Sequence, residues 1–227
     1  MVLSGGLWLQ VPVVQAAGGS GAVASTSGQP ASGQPVSNQP ASTQPASTQP
    51  ATAQTNTVLV VGDSLSAEYG LKRGSGWVAM LGERLTRDAI GFAGLPGPAT
   101  VVNASISGET TAGGWSRLPP LIERHHPAVV IIALGSNDAL RGLDLKSTET
   151  NLAWMIDAAR QAGARPVLVG MMLPPNYGKA YADRFAALYV ELAKEHQATL
   201  VPFLLDGFAE DLSKFQADRI HPNESAQ

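Results

Sequence analysis

The 227-residue chain contains no cysteine. That excludes a thiol nucleophile, a disulfide framework, cysteine-ligated zinc or iron–sulfur chemistry, and the acylated cysteine of a bacterial lipoprotein. Charge is missing from the front of the chain. No Lys, Arg, Asp or Glu precedes Asp63, so all 15 basic and 18 acidic side chains belong to the remainder. The net charge of −3 comes without a basic cluster, which argues against a nucleic-acid partner, because phosphate binding needs a concentrated positive face. No uncharged apolar run approaches the ~18 residues of a spanning helix without interruption by Gln, so stable membrane insertion is not expected.

What is present divides the chain in three. Residues 1–17 form an apolar, signal-like stretch ending in small residues, with Val14 and Ala16 suited to a cleavage site, although the positive start of a secretory leader is missing. Residues 18–54 are Ser, Thr, Gln, Ala, Gly and Pro with Gln-Pro recurring every five residues from Gln29-Pro30 to Gln49-Pro50. Such a composition cannot bury enough apolar surface to offset chain entropy and reads as a linker with extended, proline-stiffened segments. Together the two point to a periplasmic or secreted protein. Residues 55–227 read as the folded domain.

In that domain short apolar runs alternate with longer amphipathic ones. Strands are expected at Thr57–Gly62, Thr100–Asn103, Ala128–Gly135, Pro166–Met171 and Thr199–Phe203. Helices are expected at about Gly76–Ala89, Trp115–His126, Thr148–Ala162 and Lys179–His196. Val/Ile runs without polar alternation imply strands buried on both faces, hence a parallel sheet between helical layers. The order predicts a three-layer α/β domain with a parallel five-stranded sheet. Ligands bind such folds outside the carboxyl ends of the strands, so chemistry is sought just after each run.

After the first strand comes Gly62-Asp63-Ser64-Leu65-Ser66, with Gly62 read as permitting a sharp turn and Ser64 on the rim. Gly-Asp-Ser is also an ordinary turn composition. No Gly-x-Ser-x-Gly elbow occurs in the chain, which argues against the α/β-hydrolase layout. A serine nucleophile needs a base, and histidine suits that role. His125, His126 and His196 close expected helices, where the dipole favours them. His221 stands instead in a non-periodic segment after the fifth strand, three residues beyond Asp218. One short loop can therefore set a carboxylate on one ring nitrogen while the other faces a serine. A lone His does not complete a metal shell. Gly108, after the second strand, can present a bare backbone N–H, and Asn137, after the third, a side-chain amide. Both are donors of the kind an oxyanion requires, although each taken alone is also a common turn residue.

Gly62-Asp63-Ser64-Leu65, Gly108, Gly135-x-Asn137-Asp138 and Asp218-x-x-His221 resemble, in order, the four sequence blocks of the SGNH (GDSL) hydrolase family. Val102–Thr110, Arg117-Leu118-Pro119 and Leu173–Gly178 are similar to its bacterial periplasmic thioesterase I, lysophospholipase and arylesterase subgroup. The resemblance implies a flavodoxin-like three-layer fold, with Ser64 as nucleophile, His221 as base and Asp218 as its orienting carboxylate. It also implies an oxyanion hole from the Ser64 N–H, the Gly108 N–H and the Asn137 amide, with no metal or organic cofactor.

The chain departs from the family in three ways. Ser136 and Ala139 stand where two glycines are usual, which questions the local backbone. Glu68 adds a negative charge near Ser64 that would discourage anionic substrates. The chain also ends six residues after His221, where relatives continue into a final helix. The expected activity is hydrolysis of small acyl esters or thioesters through an acyl-enzyme. Leu173, Pro174, Asn176 and Tyr177 are expected in a substrate-binding flap, with Met172 and Tyr181 adding to an apolar wall. A carbohydrate acetylesterase and a non-catalytic binding module are the competing readings.

Overall fold

The computed structural model describes residues 55–87, 95 and 97–227. The leader over 1–17 and the linker over 18–54 lie outside the described residues. Five parallel strands, β1 (Thr57–Gly62), β2 (Thr100–Asn103), β3 (Val129–Ala133), β4 (Arg165–Val169) and β5 (Thr199–Val201), form one sheet in the order β2-β1-β3-β4-β5. β1 takes Val58 opposite Val101 on one side and opposite Val129 on the other. The sequence reverses its direction of travel across the sheet at β1, so the loops after β1 and β3 open side by side.

Among the described residues five α-helices accompany the sheet: α1 (Trp77–Arg87), α2 (Thr111–His125), α3 (Ser136–Leu140), α4 (Leu145–Gln161) and α5 (Lys179–Glu195). The alternation of side chains along a strand splits the core in two. Val58 and Val60 pack with Ile131, Val167 and the α1 residues Val78 and Leu85. Leu59 and Val61 face the other way, onto Leu118 of α2, Leu152, Met155 and Ile156 of α4, and Phe185, Leu188 and Tyr189 of α5. Both faces of the central strands are buried, as continuous apolar runs require. The expected three-layer α/β arrangement is therefore the observed one.

The boundaries moved where capping chemistry overrode periodicity. α2 starts four residues before the expected Trp115, because Thr110 accepts a hydrogen bond from the Gly113 N–H at 3.4 Å and caps the helix. The two glycines inside that first turn hide it from a propensity reading. Gly114 is there for space, since a Cβ would run into the Leu134 side chain. α4 likewise starts at Leu145, capped by Asp144 on the Ser147 N–H. At the C-termini His126 and His196 do serve as caps, His126 in a left-handed conformation. His196 Nδ1 also lies 2.9 Å from Asp157 Oδ1. The expected end of α1 at Ala89 lies outside the described residues.

Leu152 of α4 is fully buried in the larger core cluster, with Leu59, Met155, Phe185 and Tyr189. Leu152→Ala should destabilise the domain by about 2–5 kcal/mol, the range for a buried leucine that leaves a cavity. Chemical denaturation should show a lower midpoint, with activity per folded molecule unchanged in buffer.

Candidate active site

Since all five strands run the same way, their carboxyl ends share one rim, and the loops leaving it hold the polar residues singled out above. After β1 the chain turns at once: the Ser66 and Ala67 N–H groups both donate to the Asp63 carbonyl, at 3.1 and 2.9 Å. The Asp63 carboxylate accepts from the Leu65 N–H at 3.0 Å, an Asx turn that leaves Ser64 projecting at the apex. Gly62 serves this turn by its size, not by an unusual dihedral. Its φ is not positive, whereas a Cβ would lie 2.6 Å from Ser66 Oγ.

His221 reaches Ser64 from the far end of the chain. Nε2 lies 2.8 Å from Ser64 Oγ, and Nδ1 lies 2.7 Å from Asp218 Oδ2. The other carboxylate oxygen, Oδ1, accepts from the Ile220 and His221 N–H groups at 2.9 and 3.0 Å. Partial burial pushes the Asp218 carboxyl up, but those N–H groups and the imidazole outweigh it and hold it down at about 2. An ionised carboxylate only accepts, so Nδ1 carries the ring proton and Nε2 is left to accept from Ser64. Arg219, in the turn between the pair, adopts a left-handed φ of 58°.

The two expected oxyanion donors also come to this rim. Gly108 has φ +79°, a conformation that costs any other residue steric strain. The N–H groups of Ser64 and Gly108 donate to no acceptor among the described residues. Asn137 is delivered by the short helix α3, which follows Gly135 with φ +117°. There is no room for a Cβ on Gly135 against the Tyr189 hydroxyl, itself bound to the Leu134 carbonyl at 2.9 Å. The left-handed position is thus Gly135. Ser136 and Ala139 lie inside α3, where L-residues are at ease, so their replacement of glycine leaves the backbone undisturbed.

α3 is too short to show a period, and it does more than carry Asn137. Asn137 Nδ2 donates to the Glu109 carbonyl at 3.0 Å and lies 3.4 Å from Asp63 Oδ2. Arg141, the residue after α3, donates from Nη2 to the Gly108 carbonyl at 2.8 Å. Asp138, buried, accepts from the Thr111 N–H at 2.9 Å and the Thr111 hydroxyl at 2.6 Å. One turn of helix therefore grips the stretch from Gly108 to Thr111. From the other side Arg117 braces the same loop, bonding Glu109 Oε2 at 2.8 Å and the Ala104 carbonyl at 3.0 Å.

Asp63, which the sequence showed only as part of the Gly62–Leu65 block, is 2% exposed; burial pushes its carboxyl up to about 6 against the pull of the Leu65 N–H and the His221 charge. Two residues of the site carried no sequence signal of their own. Tyr69 lays its ring on His221, centroid to centroid 4.4 Å with 40° between planes, and Arg141 is the other. The Glu68 carboxylate accepts from the N–H groups of Gly74 and Gly76 at 3.0 Å, which lowers its pKa. Its charge is held by the loop that leads into α1. On the flap, Met172, Pro174, Asn176 and Tyr177 are exposed and Leu173 is half-buried. Tyr181 is half-buried instead, packed against the core with its hydroxyl 3.5 Å from the Ala139 carbonyl. None of the flap residues hydrogen-bonds Ser64, Gly108, Asn137 or His221.

Comparison with known proteins identifies the family of the chain. The profile of the GDSL-like Lipase/Acylhydrolase family matches residues 60–227. Esterase TesA of Pseudomonas aeruginosa is 47% identical over 171 residues, 75% of this chain and 82% of that protein. Thioesterase 1/protease 1/lysophospholipase L1 of Escherichia coli K12 is 39% identical over 172 residues, 76% of this chain and 78% of that one. Among solved structures, the psychrotrophic esterase EstA from Pseudoalteromonas sp., inhibited by monoethylphosphonate, superposes with a TM-score of 0.70 at 36% identity, covering 76% of this chain and 91% of its own. A family match over most of the chain, with relatives of this identity and coverage, makes the chain a member of the GDSL-like lipase/acylhydrolase family and a carboxylic ester hydrolase.

Proposed function

We propose that the protein is a serine esterase that cleaves carboxylic esters and acyl thioesters through a covalent acyl-enzyme. The observation that carries this reading is the unbroken relay from Ser64 Oγ to His221 Nε2 at 2.8 Å and from His221 Nδ1 to Asp218 Oδ2 at 2.7 Å. Ser64 Oγ attacks the acyl carbonyl carbon while its proton passes to His221 Nε2, and Asp218, ionised, stabilises the imidazolium. The carbonyl π electrons move onto oxygen. The resulting oxyanion is received by the Ser64 and Gly108 N–H groups and by Asn137 Nδ2, whose long 3.4 Å contact to Asp63 is the one exchanged for it. Collapse expels the alcohol or thiol, protonated by His221. Water, deprotonated by the same ring, then releases the acid. No step calls on a cofactor.

The substrate class follows from the rim. Tyr69, Ile106, Leu143, Met172 and Tyr177 are large apolar side chains left exposed on the loops after β1, β2, β3 and β4. Such a lining suits an acyl chain better than a sugar, whose hydroxyls need many polar partners. A relative named thioesterase and lysophospholipase supports the same choice. The apolar segment at residues 1–17 and the Gln-Pro linker behind it support a periplasmic or secreted location.

Ser64→Ala should abolish fluorophosphonate labelling and lower kcat by several orders of magnitude with the circular dichroism spectrum unchanged, and His221→Ala should cost about as much. Asn137→Ala should lose about 10²–10³ in kcat, the effect of one oxyanion donor; a change in KM alone would make it a substrate contact. In a hydrolysis panel, medium-chain aryl esters and acyl thioesters should show higher kcat/KM than acetylated sugars. Preference for an acetylated glycan would hand the site to the carbohydrate reading.

Asp63 gives a pH prediction of opposite sign to Asp218. Its folded pKa of about 6 lies above the unfolded value, so the folded state holds the proton more tightly. That contribution is present at low pH and is lost as pH rises through about 6. At 1.36 kcal/mol per unit the loss is at most about 3 kcal/mol. Asp63→Asn, which cannot ionise, should flatten the fall in unfolding free energy between about pH 4 and pH 7. An unaltered pH dependence would show that Asp63 ionises in the fold as freely as in the unfolded chain.

A further inference from the structure

Asp218 and His221 are three residues apart on one loop, so their contact is local. The Ser64–His221 contact spans 157 residues of sequence and depends on two separate loops being held at one distance. Gln216 is placed to hold them. Its N–H donates to the His221 carbonyl at 2.8 Å, and its side-chain amide donates to the Pro222 carbonyl at 3.1 Å and to the Tyr69 carbonyl at 2.8 Å. Tyr69, in turn, donates its N–H to the Ser64 carbonyl at 3.3 Å and rests its ring on the His221 imidazole. Gln216 thus binds both sides of the gap: the backbone around His221 directly, and the Ser64 turn through Tyr69.

We propose that Gln216 is a positioning residue that sets the separation of Ser64 and His221, acting through Tyr69; the proposal rests on the reading of Ser64 as nucleophile and His221 as base. The amide chemistry is specific. Nε2 has two hydrogens, and both are directed at carbonyls, which only accept. A carboxylate of the same shape offers them no donor and adds repulsion. With the brace gone, the Asp218–His221 pair survives within its own loop, but the ring is free to move away from Ser64 Oγ. A positioned proton acceptor loses rate steeply with small displacements. Tyr69 adds a second restraint, since an aromatic face over the ring favours the imidazolium that forms when Ser64 gives up its proton.

Gln216→Glu in the full chain is the direct test. Fluorophosphonate labelling and kcat should both fall about 10- to 100-fold with KM unchanged, the size of effect that a displacement near 1 Å produces. The downfield proton resonance of the His221 Nδ1–H···Asp218 bond should persist. Gly70→Ala is an independent variant that leaves Gln216 in place: Gly70 has φ +70°, and a Cβ there would land on the Gln216 amide. It should reproduce the slow labelling. A normal labelling rate in Gln216→Glu would overturn the brace. So would loss of the His221 resonance together with the melting transition, which would mark Gln216 as a general support of the fold. If Ser64→Ala still labels, it is the nucleophile reading that has failed, and the two failures are told apart.

Discussion

The parallel direction of the sheet is the constraint from which the site follows. In an antiparallel sheet successive loops leave alternate edges, and Ser64, Gly108, Asn137 and His221 would be divided between them. Here the loops after β1, β2, β3 and β5 all open on one rim, with β1 and β3 adjacent. Parallel strands require long crossovers and burial on both faces. The Val-Leu-Val-Val run of β1 and the Val-Val-Ile-Ile run of β3 therefore serve the chemistry indirectly: without apolar side chains on both faces the rim would not exist.

Strand ends bring residues to a neighbourhood, whereas hydrogen-bond distances are set by the loops themselves. The Ser64 turn is closed by its own Asp63. The Gly108 loop is closed by the Glu109 N–H on the Ile106 carbonyl at 3.1 Å and is also held from two sides, by α3 through Asn137, Asp138 and Arg141 and by α2 through Arg117. Each clamp takes hold of the Glu109 or Thr111 side chain or of backbone groups, and the contacts to the Ala104, Gly108 and Glu109 carbonyls and the Thr111 N–H fix the orientation of peptide planes. That is the property an oxyanion hole needs, because its donors must already point at the place where charge will develop.

This division explains what could be read from the sequence. Strand and helix identities were visible as apolar runs and amphipathic periods, since burial on two faces or one leaves a mark on composition. Ser64, Asp218 and His221 were visible because each has few chemical roles outside turns and caps. The start of α2 was hidden behind Gly113 and Gly114, which a propensity argument counts against a helix; their role appears only when Gly114 is seen against the Leu134 side chain. α3, with five residues, is shorter than two turns and shows no period at all. Arg141 and Tyr69 looked like ordinary surface residues. Their contacts run to a carbonyl and to a ring brought close by the fold, and no local pattern encodes such a partner. Glu68 shows the converse: its charge was visible, but not that two glycine N–H groups would hold it.

The carboxylates of the site differ in function because they differ in surroundings. Asp218 is partly exposed and accepts from two backbone N–H groups and an imidazole, so it stays ionised and can stabilise positive charge on His221. Asp63 is sealed beneath the Ser64 turn with one N–H donor and the long contact to Asn137, and burial drives its carboxyl up to about 6. Both flank the same reaction, yet they face charges of opposite sign: Asp218 the imidazolium, Asp63 the side of Asn137 that turns toward the oxyanion. A full negative charge behind that donor would oppose oxyanion formation, while a neutral carboxyl would not. The imidazolium formed in the same step pulls the other way, because its charge favours an ionised Asp63. Asp218 meets no such opposing influences, so its charge stays on the His221 side and orients the imidazole, while Asn137 is held toward the oxyanion side by its bond to the Glu109 carbonyl.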